Sequence, residues 1–322
     1  MAIDVNHWHH HALSNRLQTL LLLTVMGSFM LLLGYFLWGL HGVIMLTAMG
    51  LLLLLINPQI APHFIMQMYN AVPLPQQQAP RIYAAIKELC LRAGLNTVPA
   101  IYYIPSSMIN AFAVGRADNA SIAVTDGLLR ILNSDEIIGV LAHEISHIRN
   151  NDLGVMGLAD MFTRVTSLLS LFGQFLLILN LPLLMLTTVS INWIVILILI
   201  FAPNISALAQ LGLSRTREYN ADLNAVMLTG NPTGLAHALM KIERVQGVWL
   251  ERIFLPGRRI PEPSLLRTHP PTAERVKRLM ALKIPESYAP IKLLLGNRGL
   301  DAFQQSRAIQ RKPRWHLNGL WH

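Results

Sequence analysis

The chain has 322 residues, of which 53% are hydrophobic and only 13% charged, and it carries a formal net charge of +9. That charged share is about half of the ~25% usual for soluble domains, which argues against an ordinary soluble protein. The basic excess fits loops lying beside an anionic leaflet, and no nucleic-acid-binding motif accompanies it. The single cysteine, Cys90, excludes an intrachain disulfide framework, as expected of a chain facing the cytosol.

The first 16 residues hold His7, His9, His10 and His11 around Trp8. No cysteine accompanies these histidines and Asp4 is the one acidic residue near them, and a tryptophan beside them suits a membrane interface better than a metal site. Two apolar stretches follow, Leu17–Leu37 and Leu40–Ile56, joined by a tight turn at Trp38-Gly39. At ~1.5 Å per residue the first covers ~31 Å, enough to cross a hydrocarbon core of ~30 Å. No small-residue cleavage site separates the two, so the first is read as a span and not as a signal peptide.

In the next segment Arg81–Ala93 has the pattern of an amphipathic helix ended by Gly94, and Pro99–Ile104, Ala111–Gly115 and Ser121–Thr125 have the composition of short strands. A second helix is expected from Ser134, read as its N-cap, with Asp135 and Glu136 in the first turn and Asn150-Asn151-Asp152 as its stop. Its apolar stripe is Ile137, Ile138, Val140, Leu141 and Ile145. This helix contains the run HEISH. His143 and His147 stand one turn apart on nearly the same face, which suits a zinc ion. Glu144 lies about 100° round the axis, where it is placed to take a proton from water without being a ligand.

A second apolar pair lies at about Val165–Thr187 and Ser190–Leu211, with Pro182 and Pro203 expected to kink or shorten it. None of the 26 Lys and Arg falls in either apolar pair. The positive-inside rule therefore puts the N-terminus, the 57–164 segment and everything after 211 on the cytoplasmic side. Beyond the second pair, SRTREYNAD places Glu218 and Asp222 four residues apart. One helix can present Glu218 as a third metal ligand while Asp222 orients a ligating histidine. Arg215 and Arg217 beside them equally fit a solvated helix face. Pro232–Gln246 and Pro271–Leu282 read as helices with proline near the first turn. The tail from Pro285 onward, with Arg307, Arg311, Lys312, Arg314, Trp315 and Trp321, reads as a solvated extension.

HEISHIRNND followed by EYNAD, together with NAFAVG at 110–115 and THPPTAERVKRL at 268–279, resembles the HtpX-type membrane zinc peptidases. More distantly it is similar to the CAAX prenyl proteases of the same gluzincin group. The resemblance implies one Zn²⁺ per chain, held by His143, His147 and Glu218, with Asp222 supporting a ligand and Glu144 as general base. It implies that Asn110, Ala111, Phe112 and Ala113 form the edge along which an extended peptide pairs. It also places His269 near the metal as an oxyanion donor, with Asn110 as a second candidate for that role. Arg275 is expected to hold its helix through an acidic partner.

The expected fold class is an α+β membrane protein with four transmembrane helices and a cytoplasmic gluzincin-type zinc peptidase domain, mostly α with a small sheet. Its segments are a cytoplasmic N-terminus (1–16), a transmembrane hairpin (17–56), a first peptidase part (57–164), a second hairpin (165–211), a second peptidase part (212–284) and a tail (285–322). The expected function is endopeptidase cleavage of membrane or misfolded proteins at the cytoplasmic face of a bacterial inner membrane, in protein quality control. The expected partners are membrane-protein or unfolded polypeptide substrates, the lipid bilayer and other quality-control proteases. The alternatives are a CAAX-type protease acting on lipidated C-termini and a non-catalytic metal-containing membrane scaffold.

Overall fold

A computed structural model of the chain describes residues 5–56, 62–186, 193–252 and 270–282. The chain divides into two compact units, one made of residues 1–10, 59–153 and 217–322, the other of residues 11–58 and 154–216.

The second unit is helical. Its first helix, α1 (Val5–Ile56), is interrupted by non-helical torsions at Trp38 and Gly39, the glycine having φ +59°. A Cβ on Gly42 would overlap the carbonyl oxygen of Gly34, and one on Gly34 would overlap Leu46. Residues eight apart in an unbroken helix lie ~12 Å from each other along the axis, so the chain doubles back at Trp38-Gly39. Three helices among the described residues are long and apolar enough to cross a membrane, at Leu17–Leu51, Asp152–Leu179 and Ile196–Thr229. Where four separate spans are expected, the described residues give three candidates, the first of which contains the fold-back. The turn between the second expected pair lies outside the described residues.

The first unit is built on a four-stranded sheet flanked by helices. In chain order its elements are α2 (Pro62–Met68), β1 (Val72–Pro73), α3 (Pro80–Ala93), β2 (Ala100–Ile104), β3 (Ala111–Val114), β4 (Ser121–Thr125), α4 (Asp126–Ile131) and α5 (Ser134–Arg149). After two long helices, α6 (Asp152–Leu186) and α7 (Trp193–Thr229), come α8 (Pro232–Arg252) and α9 (Thr272–Met280). The strand order is β1-β2-β4-β3, with β2 and β4 parallel and the outer pairs antiparallel, so β3 is an edge strand.

Alternation along the strands fills two cores, because successive side chains point to opposite faces. Ala111, Ala113, Ile122 and Val124 pack with Ile86 and Leu89 of α3 and Leu141 and Ile145 of α5. Phe112, Val114 and Ala123 pack on the other face with Met66 of α2. Gly115 closes the β3–β4 turn at φ +92°, where a Cβ would overlap the carbonyl of Asn119.

Several boundaries differ from expectation. The N-cap of α5 is Asn133, not Ser134. The Asn133 side chain accepts the Glu136 N–H, and the Glu136 carboxylate accepts the Asn133 N–H. That reciprocal box needs Glu three residues after the cap, a spacing Asn133 has and Ser134 lacks. Helix α6 begins at Asp152, well before Val165, and α7 runs through Pro203 and on to Thr229. Apolar composition marks only the middle of such helices, since a helix continues wherever nothing breaks it. The short elements α2, β1 and α4 were not expected.

Candidate metal centre

Helix α5 lies between the edge strand β3 and helix α8. Gly139 permits this, because a Cβ there would stand 2.7 Å from the backbone nitrogen of Leu235 on α8. The buried stripe of α5, including Leu141 and Ile145 at 0% exposure, fixes its rotation and sends His143 and His147 toward α7. Helix α7 returns Glu218 and Asp222 from one face, as their spacing of four requires.

The three expected ligands converge. His143 Nε2 is 3.1 Å from His147 Nε2 and 3.4 Å from Glu218 Oε2, and His147 Nε2 is 3.5 Å from Glu218 Oε1. Tetrahedral zinc with ligand bonds of ~2.0–2.2 Å has ligand–ligand edges of roughly 3.3–3.5 Å, so these separations suit one ion. The far sides of both rings face carboxylates. His147 Nδ1 lies 2.8 Å from Asp152 Oδ2, and His143 Nδ1 lies 3.1 Å from Asp222 Oδ1. The hydrogen bond between His147 Nδ1 and Asp152 turns that ring's Nε2 to the centre, while His143 Nδ1 faces Asp222 without hydrogen-bond geometry.

Charge supports the same reading. Burial by itself would lower both imidazole pKa values. For His147 the Asp152 and Glu218 carboxylates outweigh it and hold the ring well above its ordinary value; for His143 Asp222 and Glu218 do the same. The surrounding carboxylates thus favour positive charge at the two rings, and a divalent cation meets the same demand. Donor type, convergence and charge all fit zinc.

Two buried arginines hold the supporting carboxylates. Arg275, on α9, donates from Nε and Nη2 to Asp222 at 2.8 and 2.6 Å, and its Nη1 is 3.2 Å from Glu218 Oε2. Arg217 Nη1 donates to Asp152 Oδ1 at 2.7 Å. The sequence leads to an acidic partner for Arg275, but it marks Asp152 only as part of a helix stop and assigns Arg217 no partner, since it equally fits a solvated face. The signal for both was burial, which a linear pattern does not display: Asp152 is 2% exposed and Arg217 9%.

Glu144 is half-buried on the flank of α5, and its Oε2 accepts the N–H of Ala113 at 2.9 Å. The general-base candidate is therefore tied to the outward-facing backbone of β3. Asn110 stands at the start of that strand. Its N–H donates to Thr125 Oγ1, while its carbonyl accepts from the Thr125 hydroxyl and N–H. Its carboxamide makes no hydrogen bond among the described residues. His269, the other expected oxyanion donor, lies outside the described residues, as do the side chains of the N-terminal histidines and the tail after 282.

Residues 76–283 match the family model described as Peptidase family M48. A protease HtpX homolog of Pyrococcus abyssi is 33% identical over 293 residues, covering 83% of this chain and 96% of that one. Another, of Syntrophobacter fumaroxidans, is 34% identical over 285 residues, covering 84% of this chain and 100% of its own. Among solved structures, S. mikatae Ste24p is similar with a TM-score of 0.45 and 22% identity, covering 84% of this chain and 66% of that one.

Proposed function

The chain belongs to peptidase family M48, and from that membership and the geometry of its centre we propose that it is a membrane-integral zinc endopeptidase. His143, His147 and Glu218 would hold the zinc, and the convergence of their donor atoms within 4.8 Å is the observation that carries the reading. A zinc ion there supplies Lewis acidity toward water and a scissile carbonyl. Glu144 takes the proton of the attacking water and delivers it to the leaving amine. The Ala113 N–H orients the Glu144 carboxylate for that exchange. An extended peptide pairs with the outward backbone groups of β3 other than the Ala113 N–H, which Glu144 holds, so main-chain hydrogen bonds bind it with little regard for its sequence. The Asn110 carboxamide, with His269, donates to the oxyanion.

We place four crossings in the bilayer and the centre at its cytoplasmic face, because every cation lies outside the apolar stretches. Substrates are damaged or misassembled membrane proteins with accessible cytosolic segments, and the setting is an inner membrane under protein stress. The test is proteolysis of a loosely folded membrane substrate by the detergent-solubilised chain. Removing metal with a chelator should abolish cleavage, and zinc should restore it. Cleavage that persists at full rate in metal-free protein would contradict the reading.

A further inference from the structure

Each ligand imidazole faces a carboxylate held by a buried arginine, and that of His147 is hydrogen-bonded to its carboxylate. One limb runs His143–Asp222–Arg275, the other His147–Asp152–Arg217. We propose that Arg217 is a positioning residue of the metal centre, acting through Asp152 to fix the orientation of His147. The proposal rests on the zinc-peptidase reading above.

The geometry gives Asp152 one oxygen for each partner. Oδ2 faces His147 Nδ1 at 2.8 Å, and Oδ1 accepts from Arg217 Nη1 at 2.7 Å. The carboxylate cannot rotate without losing both contacts. At 2% exposure the Asp152 carboxylate has no solvent to meet its second oxygen, so without Arg217 that oxygen would be left unmatched and the group free to turn. A carboxylate turned away from His147 Nδ1 no longer fixes the orientation of the ring. Arg217 holds the Asp152 carboxylate in place, and Asp152 holds His147 with Nε2 toward the metal side.

The placement of the three residues makes this a coupling between elements. After α5 ends at Arg149, Asn151 adopts φ +53°, and the chain turns so that Asp152, five residues beyond His147, comes back against its ring. Asp152 is the first residue of α6, while Arg217 directly precedes the ligand Glu218 on α7. The Asp152–Arg217 pair thus ties the start of α6 to α7 at the level of the third ligand. It sets the spacing between His147 and Glu218, whose facing atoms are 3.5 Å apart.

The test is a double-mutant cycle on metal affinity, independent of turnover. Zinc dissociation constants are measured by chelator competition for wild type, Arg217→Met, Asp152→Asn and the double variant, alongside the visible spectrum of the Co²⁺-loaded forms. Each single variant should weaken zinc by about 10- to 100-fold and shift the cobalt spectrum in the same way. The double variant should be no weaker than the worse single, because both act on one ring. Arg217→Lys, which keeps the charge, should lie between wild type and Arg217→Met. Wild-type affinity in Arg217→Met overturns the proposal, as do losses that multiply in the double variant. Should Arg217→Met fail to fold, Asp152→Asn decides: wild-type affinity with an unshifted cobalt spectrum overturns the relay. Failure of the wild-type chain to take up zinc at all would instead remove the peptidase reading on which the relay stands.

Discussion

Each ligand of the centre is held from behind. Glu218 meets Arg275 at 3.2 Å, and the two histidines meet Asp222 and Asp152. Such supports fix ring orientation before any metal arrives, so less ordering remains to oppose binding. Asn110 stands apart from this framework. Its backbone is clamped to Thr125, which aims the residue, while its carboxamide has no partner among the described residues. A donor whose backbone is held in place, with no carboxamide partner among the described residues, suits a transition state. Replacing Asn110 by Ala should leave zinc content unchanged and lower kcat by about 100- to 1,000-fold, as loss of one oxyanion donor does. His269→Ala should behave alike. The check is initial rates beside zinc stoichiometry, and a normal kcat in Asn110→Ala would remove that residue from the mechanism.

At the scale of elements, the centre depends on how closely α5 approaches α8. Gly139 and Gly234 allow the two backbones to touch, a Cβ on Gly139 falling 2.9 Å from the Cα of Leu235. Backbone cannot yield as a flexible side chain does. Gly139→Ala should therefore cost about 1–3 kcal/mol of stability, read as a lower melting temperature of the zinc-free protein. An unchanged melting temperature would mean that the contact is looser than described. What was legible in the sequence follows from the same distinction between local and distant contacts. His143, Glu144 and His147, like Glu218 and Asp222, are arranged by the helical repeat alone, so spacing revealed them. Asp152 and Arg217 meet across 65 residues, and no periodicity joins them. Helix α2 has only seven residues, too few to display a period, and its packing against Phe112 became visible only with the second core. The extra turns of α6 and α7 escaped because hydropathy marks where a helix is apolar and not where it ends.

For the molecule as a whole, the membrane and the metal centre constrain one another. Residues 154–216 separate His147 from Glu218, yet both ligands belong to the same compact unit. An even number of crossings returns the chain to the side it left. With the one-sided cations, the topology proposed above has both hairpin turns outside. A topology reporter inserted near Pro182 should report the exterior, and one fused after His322 the cytoplasm. A cytoplasmic signal from the Pro182 insertion would overturn the proposed topology. The chemistry admits a sharper test at Glu144, which lies beside a ligand but is held by the Ala113 N–H at 2.9 Å and not by the three-ligand cluster. Glu144→Gln keeps the shape of the side chain and removes its ability to accept a proton. The decisive measurement is zinc stoichiometry and initial rate, determined together on wild type and Glu144→Gln with one detergent-solubilised substrate. The account predicts equal zinc and almost no turnover in the variant; substantial proteolysis by zinc-loaded Glu144→Gln would contradict it.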